Sequence, residues 1–326
     1  MRRREFVTLA GLGIAAWPCL ATARDEQVRR VAVLVPGAEG DSEARDSVEA
    51  LKQGLEERGW KVGQNLMIDV RWRISNAERA NSAIAEFLAH RPDVVVTSTS
   101  QTLKALLQAI PQLPIVFVYI YEPVAQGFVQ SLAHPGGNAT GFTSMEVSIG
   151  AKWLGLLKQL APHVSRVAFL SNPENPGPRQ TLGAVREAAA GAGLETIDAQ
   201  VRTPAEIEAV ISGLGPNGGL IVPPDGFLTR QRDFIIELAD RYRSPAVYGF
   251  RQFATAGGLA AYGPSCVFQC RQAAEYVDRI FRGERPGELP VQQPTEFDFV
   301  INLKTARKLG LSVPPSILIS AREVIE

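Results

Sequence analysis

The chain has 326 residues, 45% of them hydrophobic, enough to bury a large core and long enough for two domains. Its 34 Lys and Arg balance 34 Asp and Glu. That balance excludes the strongly basic footprint of a nucleic-acid binder or of a protein held on an anionic membrane.

The first element lies ahead of any domain. Residues 10–17, AGLGIAAW, place Gly11, Gly13 and Ala16 at the spacing of a dinucleotide-binding loop. Such a loop follows a strand, and the short segment after Met1-Arg2-Arg3-Arg4 leaves no room for one. Residues 1–23 read instead as an export signal, with a basic start, an apolar run from Phe6 to Ala16, and Ala21-Thr22-Ala23 as a small-residue cleavage site. Arg3-Arg4-Glu5-Phe6 resembles a twin-arginine signal, a route for cargo folded before export. The apolar run is shorter than the roughly 20 residues that span a bilayer. A soluble periplasmic protein is expected, in which loss of residues 1–23 leaves 31 basic against 33 acidic residues.

From Arg30 onward, short β-branched runs alternate with amphipathic stretches, the pattern of a parallel sheet with crossover helices. RVAVLVPG (30–37) is the first strand, and Val48, Leu51 and Leu55 mark the inner face of the helix that follows. MIDVRWR is the second strand and Ile84, Phe87 and Leu88 line the second helix. PDVVVTSTS and PIVFVYI add two buried strands. A second pass starts at RVAFLSNP (166–173), with a helix carrying Leu182, Val185 and Ala189. A capping box at Thr203-Pro204-Ala205-Glu206 opens the next helix. GGLIVPPDG and PAVYGF then repeat the two buried strands of the first pass in order and type.

Three breaks separate these passes: HPGGNATGF (134–142), AAYGPS (260–265) and GELPVQQP (287–294). CVFQCRQAAEYVDRIFRG is a long helix, and EFDFVINLKTARKLGL a strand and a helix closed by Gly310. The expected fold is α/β, with two Rossmann-like lobes of parallel sheet joined by a multi-strand hinge. Residues 28–141 plus 263–290 form lobe 1 and residues 142–262 plus 291–326 form lobe 2. Cys266 and Cys270, four apart on one helical face, are expected as two buried thiols, with a disulfide as the alternative. Two thiols without a nearby His fall short of a metal site.

Ligands in open α/β sheets sit beyond the carboxyl ends of the strands. The candidate ligand-binding residues there are Gly37, Ser98, Thr99, Ser100, Tyr119, Tyr121, Glu122, Asn172, Asp225, Tyr248 and Tyr262. Ser98, Thr99 and Ser100 precede a helix, so their hydroxyls and the free N–H groups of its first turn suit a carboxylate, although plain helix capping uses the same residues. Strand alternation puts Tyr119 and Tyr121 on one face, as stacking platforms or as cleft wall. Glu122 and Asp225 hold equivalent places in the two lobes and suit a ligand ammonium group; as Glu-Pro and Asp-Gly they are equally good turn formers. Tyr248 and Tyr262 line the cleft or are buried with satisfied hydroxyls.

Signals for catalysis are thin. His90, His134 and His163 lie by prolines or in loops, and there is no Gly-x-Ser-x-Gly, His-Glu-x-x-His or Gly-Lys-Ser/Thr motif. No catalytic residue, cofactor or metal is expected.

PIVFVYIYEPVAQGFVQSLAHPGGNATGFT (114–143), PAVYGFRQFATAGGLAAYGPS (245–265) and the tail QPTEFDFVINLKTARKLGLSVPPSILISAREVIE resemble the ABC-transporter substrate-binding family that includes tryptophan-type binding proteins. The likeness covers nearly the whole chain after the export signal. It implies a type I periplasmic-binding fold, a solute held in the cleft by closure of the lobes, and ABC permease subunits as membrane partners. Members usually carry Asp-Pro-Val where this chain has Glu122-Pro123-Val124, which implies an altered ligand contact. Arg251, Phe253 and Gly257-Gly258 match family positions with a structural role. The expectation is a monomeric, non-enzymatic solute-binding protein for an amino acid or a small aromatic carboxylate. A periplasmic sensing module for a membrane receptor and a secreted α/β enzyme are its rivals.

Overall fold

A computed structural model describes residues 28–74, 77–175, 177 and 179–326; the export-signal reading and the Gly11-Gly13 stretch lie outside the described residues. The first lobe runs β1 (Arg29–Leu34), α1 (Ser42–Glu56), β2 (Leu66–Arg71), α2 (Ala77–Leu88), β3 (Val94–Thr97), α3 (Ser100–Ala109), β4 (Ile115–Ile120) and β5 (Ala139–Thr143). All pairings are parallel, in the order β2-β1-β3-β4-β5.

The second lobe runs α4 (Ile149–Leu160), β6 (Arg166–Ser171), α5 (Arg179–Gly191), β7 (Glu195–Gln200), α6 (Pro204–Ser212), β8 (Gly218–Val222), α7 (Gly226–Arg230), α8 (Arg232–Arg241), β9 (Ala246–Tyr248), α9 (Arg251–Thr255) and β10 (Ala260–Pro264). The chain then crosses back as α10 (Cys266–Phe281), which packs along α1, and returns as β11 (Phe297–Asn302), α11 (Leu303–Leu309), α12 (Pro315–Ser320) and β12 (Glu323–Ile325). The strand order β7-β6-β8-β9-β10 repeats the winding of the first sheet, and β11 and β12 extend it. β11 runs antiparallel to β10 because the chain re-enters from the opposite lobe.

Period-two alternation explains both cores. In lobe 1, Val31, Val33, Val96 and Val116 face α1 and α10, whereas Ala32, Leu34, Val95 and Phe117 face α2 and α3. In lobe 2, Val167, Phe169, Ile221 and Val247 share one cluster with Trp153 and Leu157 of α4. Ala168, Leu220, Val222 and Tyr248 pack with α6, α8 and α9 on the other face. Sheets covered on both sides need apolar residues at every position, so their strands read as continuous β-branched runs. The capping box at Thr203 and Glu206 is present, each side chain accepting from the backbone N–H of the other residue. Gly310 closes α11 at φ 73°.

Two segments read from composition as breaks contain strands. HPGGNATGF holds most of β5, and AAYGPS holds β10. Each is the last strand of its lobe before a crossing, so the glycines and prolines of the crossing mask it. Gly141 in β5 has φ 150°, and a Cβ there would stand 1.8 Å from the Phe117 carbonyl oxygen. Only glycine allows that approach. The third break is a crossing: Gln292 donates its N–H to Gly141 O and accepts from Thr143 N at its own carbonyl, both 2.9 Å, joining the returning chain to β5.

Cys266 and Cys270 are free, half-buried thiols. Desolvation raises both, that of Cys270 to about 12, so neither is a reactive thiolate.

Candidate functional site

The carboxyl ends of β1, β3 and β4 belong to one lobe, and those of β6, β8 and β9 to the other. In lobe 1, Gly37 stands after β1, where a Cβ would meet that of Ala44 at 2.7 Å; its carbonyl accepts the Arg73 N–H at 2.8 Å. Thr99 is the N-cap of α3: its hydroxyl oxygen accepts the Thr102 N–H at 3.2 Å and donates to the Thr102 hydroxyl at 2.7 Å. It is thereby committed to the helix. Ser98 and Ser100 flank it, both half-exposed. The Gln126 amide donates to Ser100 Oγ at 3.2 Å and to the Tyr121 carbonyl, bracing the α3 start against the end of β4.

At the end of β4 the backbone leaves regular strand geometry. Tyr119 has φ 60° and Glu122 φ 39°, and the β4–β5 register shifts between Phe117 and Ile120. Simple alternation therefore fails at Tyr119, yet both tyrosine rings pack on the lobe 2 core cluster. Such φ values cost on the order of 1–3 kcal/mol each and persist where surrounding contacts enforce them. Here one enforcing contact is Gln269 of α10, whose Oε1 accepts the Tyr119 N–H at 3.0 Å.

In lobe 2, the Asn172 side-chain oxygen accepts the Glu174 N–H at 3.0 Å and shapes the turn after β6. Asp225 is buried after β8 and caps α7: Oδ1 accepts from Phe227 N at 2.7 Å and Leu228 N at 2.9 Å, and Oδ2 accepts from Asn175 Nδ2 at 2.8 Å. With three donors already in place, Asp225 acts first as an organiser of this strand end. Tyr248 requires a correction. It is 1% exposed and stacks on Phe253 at 4.8 Å on the α8–α9 face of the sheet, so its ring belongs to the core and lines no cleft. The alternation of β9 turns it to that face. Tyr262 is half-buried, stacked on Phe297 at 5.5 Å with the Lys152 ammonium over its ring, and its carbonyl accepts the Trp153 indole N–H at 2.6 Å.

Among the described residues, three contacts between the lobes lie close to these strand ends. The Tyr121 ring lies against Gly177, where a Cβ would be 3.2–3.3 Å from the tyrosine carbons. Tyr119 packs on Phe250 with ring centroids 5.1 Å apart. The Glu43 carboxylate of α1 accepts the Gln252 N–H of α9 at 3.2 Å. Around these contacts the hydroxyls of Tyr119, Tyr121 and Ser144 are buried with no protein partner, as is that of Thr97 at the end of β3. A buried hydroxyl without a partner costs about 1–3 kcal/mol, so several at one strand-end interface mark a polar contact surface. Burial, reinforced by the neighbouring acidic groups Cys266, Glu43 and Asp298, pushes the Tyr119 phenol well above its ordinary value. Burial, then Glu122, does the same for Tyr121. Both therefore stay neutral, able to donate to a carboxylate or accept from an ammonium group.

Residue-type reasoning missed Glu43, Gln126, Ser144, Asn175, Phe250 and Gln269. Ser144 follows β5 directly and the strand-end rule reaches it once β5 is recognised. Among the described residues, no group of three or more His, Cys, Asp or Glu is placed to hold a metal ion, and no helix is long and apolar enough to cross a membrane. A recess of about 300 Å³ lies elsewhere, between β2 and α2, lined by Met67, Asp69, Phe87 and His90. Asp69 there is already engaged by Arg71 at 3.1 Å and His90 at 3.3 Å, and no residue of the second lobe lines the recess.

Residues 30–325 match the family described as ABC transporter substrate binding protein. A tyrosine-binding protein from Clostridioides difficile (strain R20291) is 26% identical over 270 residues, covering 81% of this chain and 78% of that protein. A conserved domain protein from Vibrio cholerae O1 biovar El Tor superimposes with a TM-score of 0.82 at 25% identity, over 91% of this chain and 100% of the other. An ABC domain in complex with L-Trp from Streptococcus pneumonia also reaches 0.82, at 22% identity, over 91% and 99%. The two-lobed architecture is that of type I periplasmic-binding proteins.

Proposed function

The chain belongs to the ABC transporter substrate binding protein family, and from that premise we propose that it captures an amino acid or a small aromatic carboxylate between its lobes. Closure of the lobes retains the solute, which is delivered in the periplasm to the permease of an ABC importer. The observation that carries this reading is the set of buried, unpartnered hydroxyls of Tyr119, Tyr121 and Ser144 beside the contacts between the lobes.

The chemistry fits a zwitterion with a planar side chain. Ser98, Ser100 and the first-turn N–H groups of α3 offer donors for a carboxylate. Glu122 supplies an acceptor for an ammonium group, and Tyr119, Tyr121 and Phe250 offer aromatic faces. Asn172 and Asp225 shape the opposing rim, with the Asn175 amide held by Asp225. Ligand contacts made in both lobes favour the shut arrangement by their differential affinity for it. The tyrosine-binding relative and the L-Trp complex support an aromatic amino acid as the first solute to test.

The test is native mass spectrometry of protein from its own periplasm, followed by isothermal calorimetry with L-tyrosine and L-tryptophan. A retained amino acid or aromatic acid, or a saturable heat with either probe, is the expected result. Protein that is empty and silent to both, and to a panel of aromatic acids, overturns the solute class. Conversion of the bound molecule into a product overturns the non-enzymatic reading.

A further inference from the structure

Glu43 sits in the first turn of α1 in lobe 1, yet it is only 9% exposed and its carboxylate reaches a residue of lobe 2. Its Oε2 accepts the Gln252 N–H at the start of α9, 209 residues away in sequence. Among the described residues it makes no ion pair, because the nearby cations are engaged elsewhere. Arg251 holds Glu323 with Nε at 3.0 Å and a terminal nitrogen at 2.7 Å. Arg232 holds Asp233 at 2.8 Å and the Gln252 side-chain oxygen at 3.2 Å. The other groups facing Glu43 are Asp41 on its own turn, Asp298 of β11, Tyr119 of β4, and Cys266 and Cys270 of α10. A carboxyl group is thus enclosed by the two lobes, beside two further acids, with one neutral hydrogen bond in place of a cation.

We propose that Glu43 couples closure of the lobes to proton uptake, so that the protein holds its solute more tightly in acidic than in mildly alkaline medium. This rests on the binding reading above. Separating the lobes returns Glu43 to water, where a carboxyl titrates near 4.5. With the lobes in contact as they are in the structure, desolvation, followed by Asp298 and Asp41, lifts it to about 7 against the opposing pull of Arg251 and the Gln252 N–H. A state that binds the proton more tightly is favoured as the pH falls. His90, His134 and His163 are all exposed and stand outside the enclosed group of acids around Glu43.

The linkage predicts solute affinity roughly tenfold to thirtyfold higher at pH 5.5 than at pH 8. Glu43→Gln keeps the shape and the acceptor for Gln252 while removing the charge. Its affinity should be flat across this range, at the level the native protein reaches in acid. Two measurements test this. The first is small-angle X-ray scattering of the ligand-free protein, whose radius of gyration should fall between pH 8 and pH 5.5 in the native chain and stay constant in Glu43→Gln. A native radius indifferent to pH overturns the proposal.

The second is calorimetry with L-tryptophan and L-tyrosine near pH 6 in buffers of different ionisation enthalpy. It should report uptake of roughly one proton on binding by the native protein and none by Glu43→Gln. Binding without proton uptake, or equal uptake by the variant, also overturns the proposal and leaves the binding function standing. Absence of heat with both amino acids counts against the solute class alone, and the scattering then decides on Glu43.

Discussion

The Gln269 side chain accepts the N–H of Tyr119 at 3.0 Å through one atom and donates to the Thr143 carbonyl at 2.8 Å through the other. A residue of α10, 1% exposed, thereby ties the ends of β4 and β5 to the second crossing between the lobes and holds Tyr119 at its positive φ. Gln269→Leu fills the same space but leaves two buried backbone groups unpaired. The expected loss of stability is about 2–4 kcal/mol, read from the urea midpoint. A loss below about 0.5 kcal/mol would show that water or a rearranged backbone replaces both bonds.

Tyr121→Phe separates ligand contact from packing. The ring stays against Gly177 and the core of lobe 2, and only an unpartnered buried hydroxyl is removed. The ligand-free protein should unfold at the same temperature or higher, while affinity for the aromatic amino acid that binds falls about tenfold. Lower stability with unchanged affinity would place the hydroxyl in a structural bond instead.

Gly177→Leu should act in the opposite sense to a packing mutation. A side chain at this position wedges against Tyr121 across the interface between the lobes. Calorimetry should show binding weakened tenfold or more, with ligand-free stability changed by less than about 0.5 kcal/mol. Equal losses in both would mean that the contact belongs to the fold of one lobe.

Much of this architecture was legible because buried parallel strands must be apolar throughout, as in RVAVLVPG and PDVVVTSTS, and because local caps such as Thr203 and Glu206 carry their own signature. The site was legible only in outline. Strand ends could be named, but alternation fails at Tyr119, where a tertiary bond from Gln269 supports a left-handed backbone, and it turns Tyr248 into the core. β5 was hidden by the Pro and Gly residues of its segment, among them Gly141, which its close approach to Phe117 requires. Glu43 gives little local signal: apart from Asp41, the groups that act on it, Gln252, Asp298 and Arg251, lie more than 200 residues away.

Asp225→Ala measures how far that carboxylate serves the fold. The cap on α7 is worth about 1 kcal/mol, and the Asn175 amide loses its acceptor. A total loss of about 2–3 kcal/mol is expected by chemical denaturation. Unchanged stability with abolished binding would return Asp225 to the role of a direct ligand contact.

Glu43 also makes stability depend on pH in a direction opposite to that of a salt-bridged carboxylate. The folded chain holds this proton more tightly than the unfolded chain, with titration near 7 against 4.5. Its contribution is therefore fully present below about pH 4.5 and lost as the pH rises through about 7, at up to about 1.4 kcal/mol per pH unit within that window. Glu43→Gln carries no such dependence. Urea midpoints of the two proteins should lie close together at pH 5 and separate by pH 8 in favour of the variant, by an amount on the order of 2–3 kcal/mol in unfolding free energy. A difference independent of pH would mean that Glu43 is ionised in the folded protein throughout, with Arg251 or Arg232 turning to meet it, and the same result would remove the basis for proton-coupled closure.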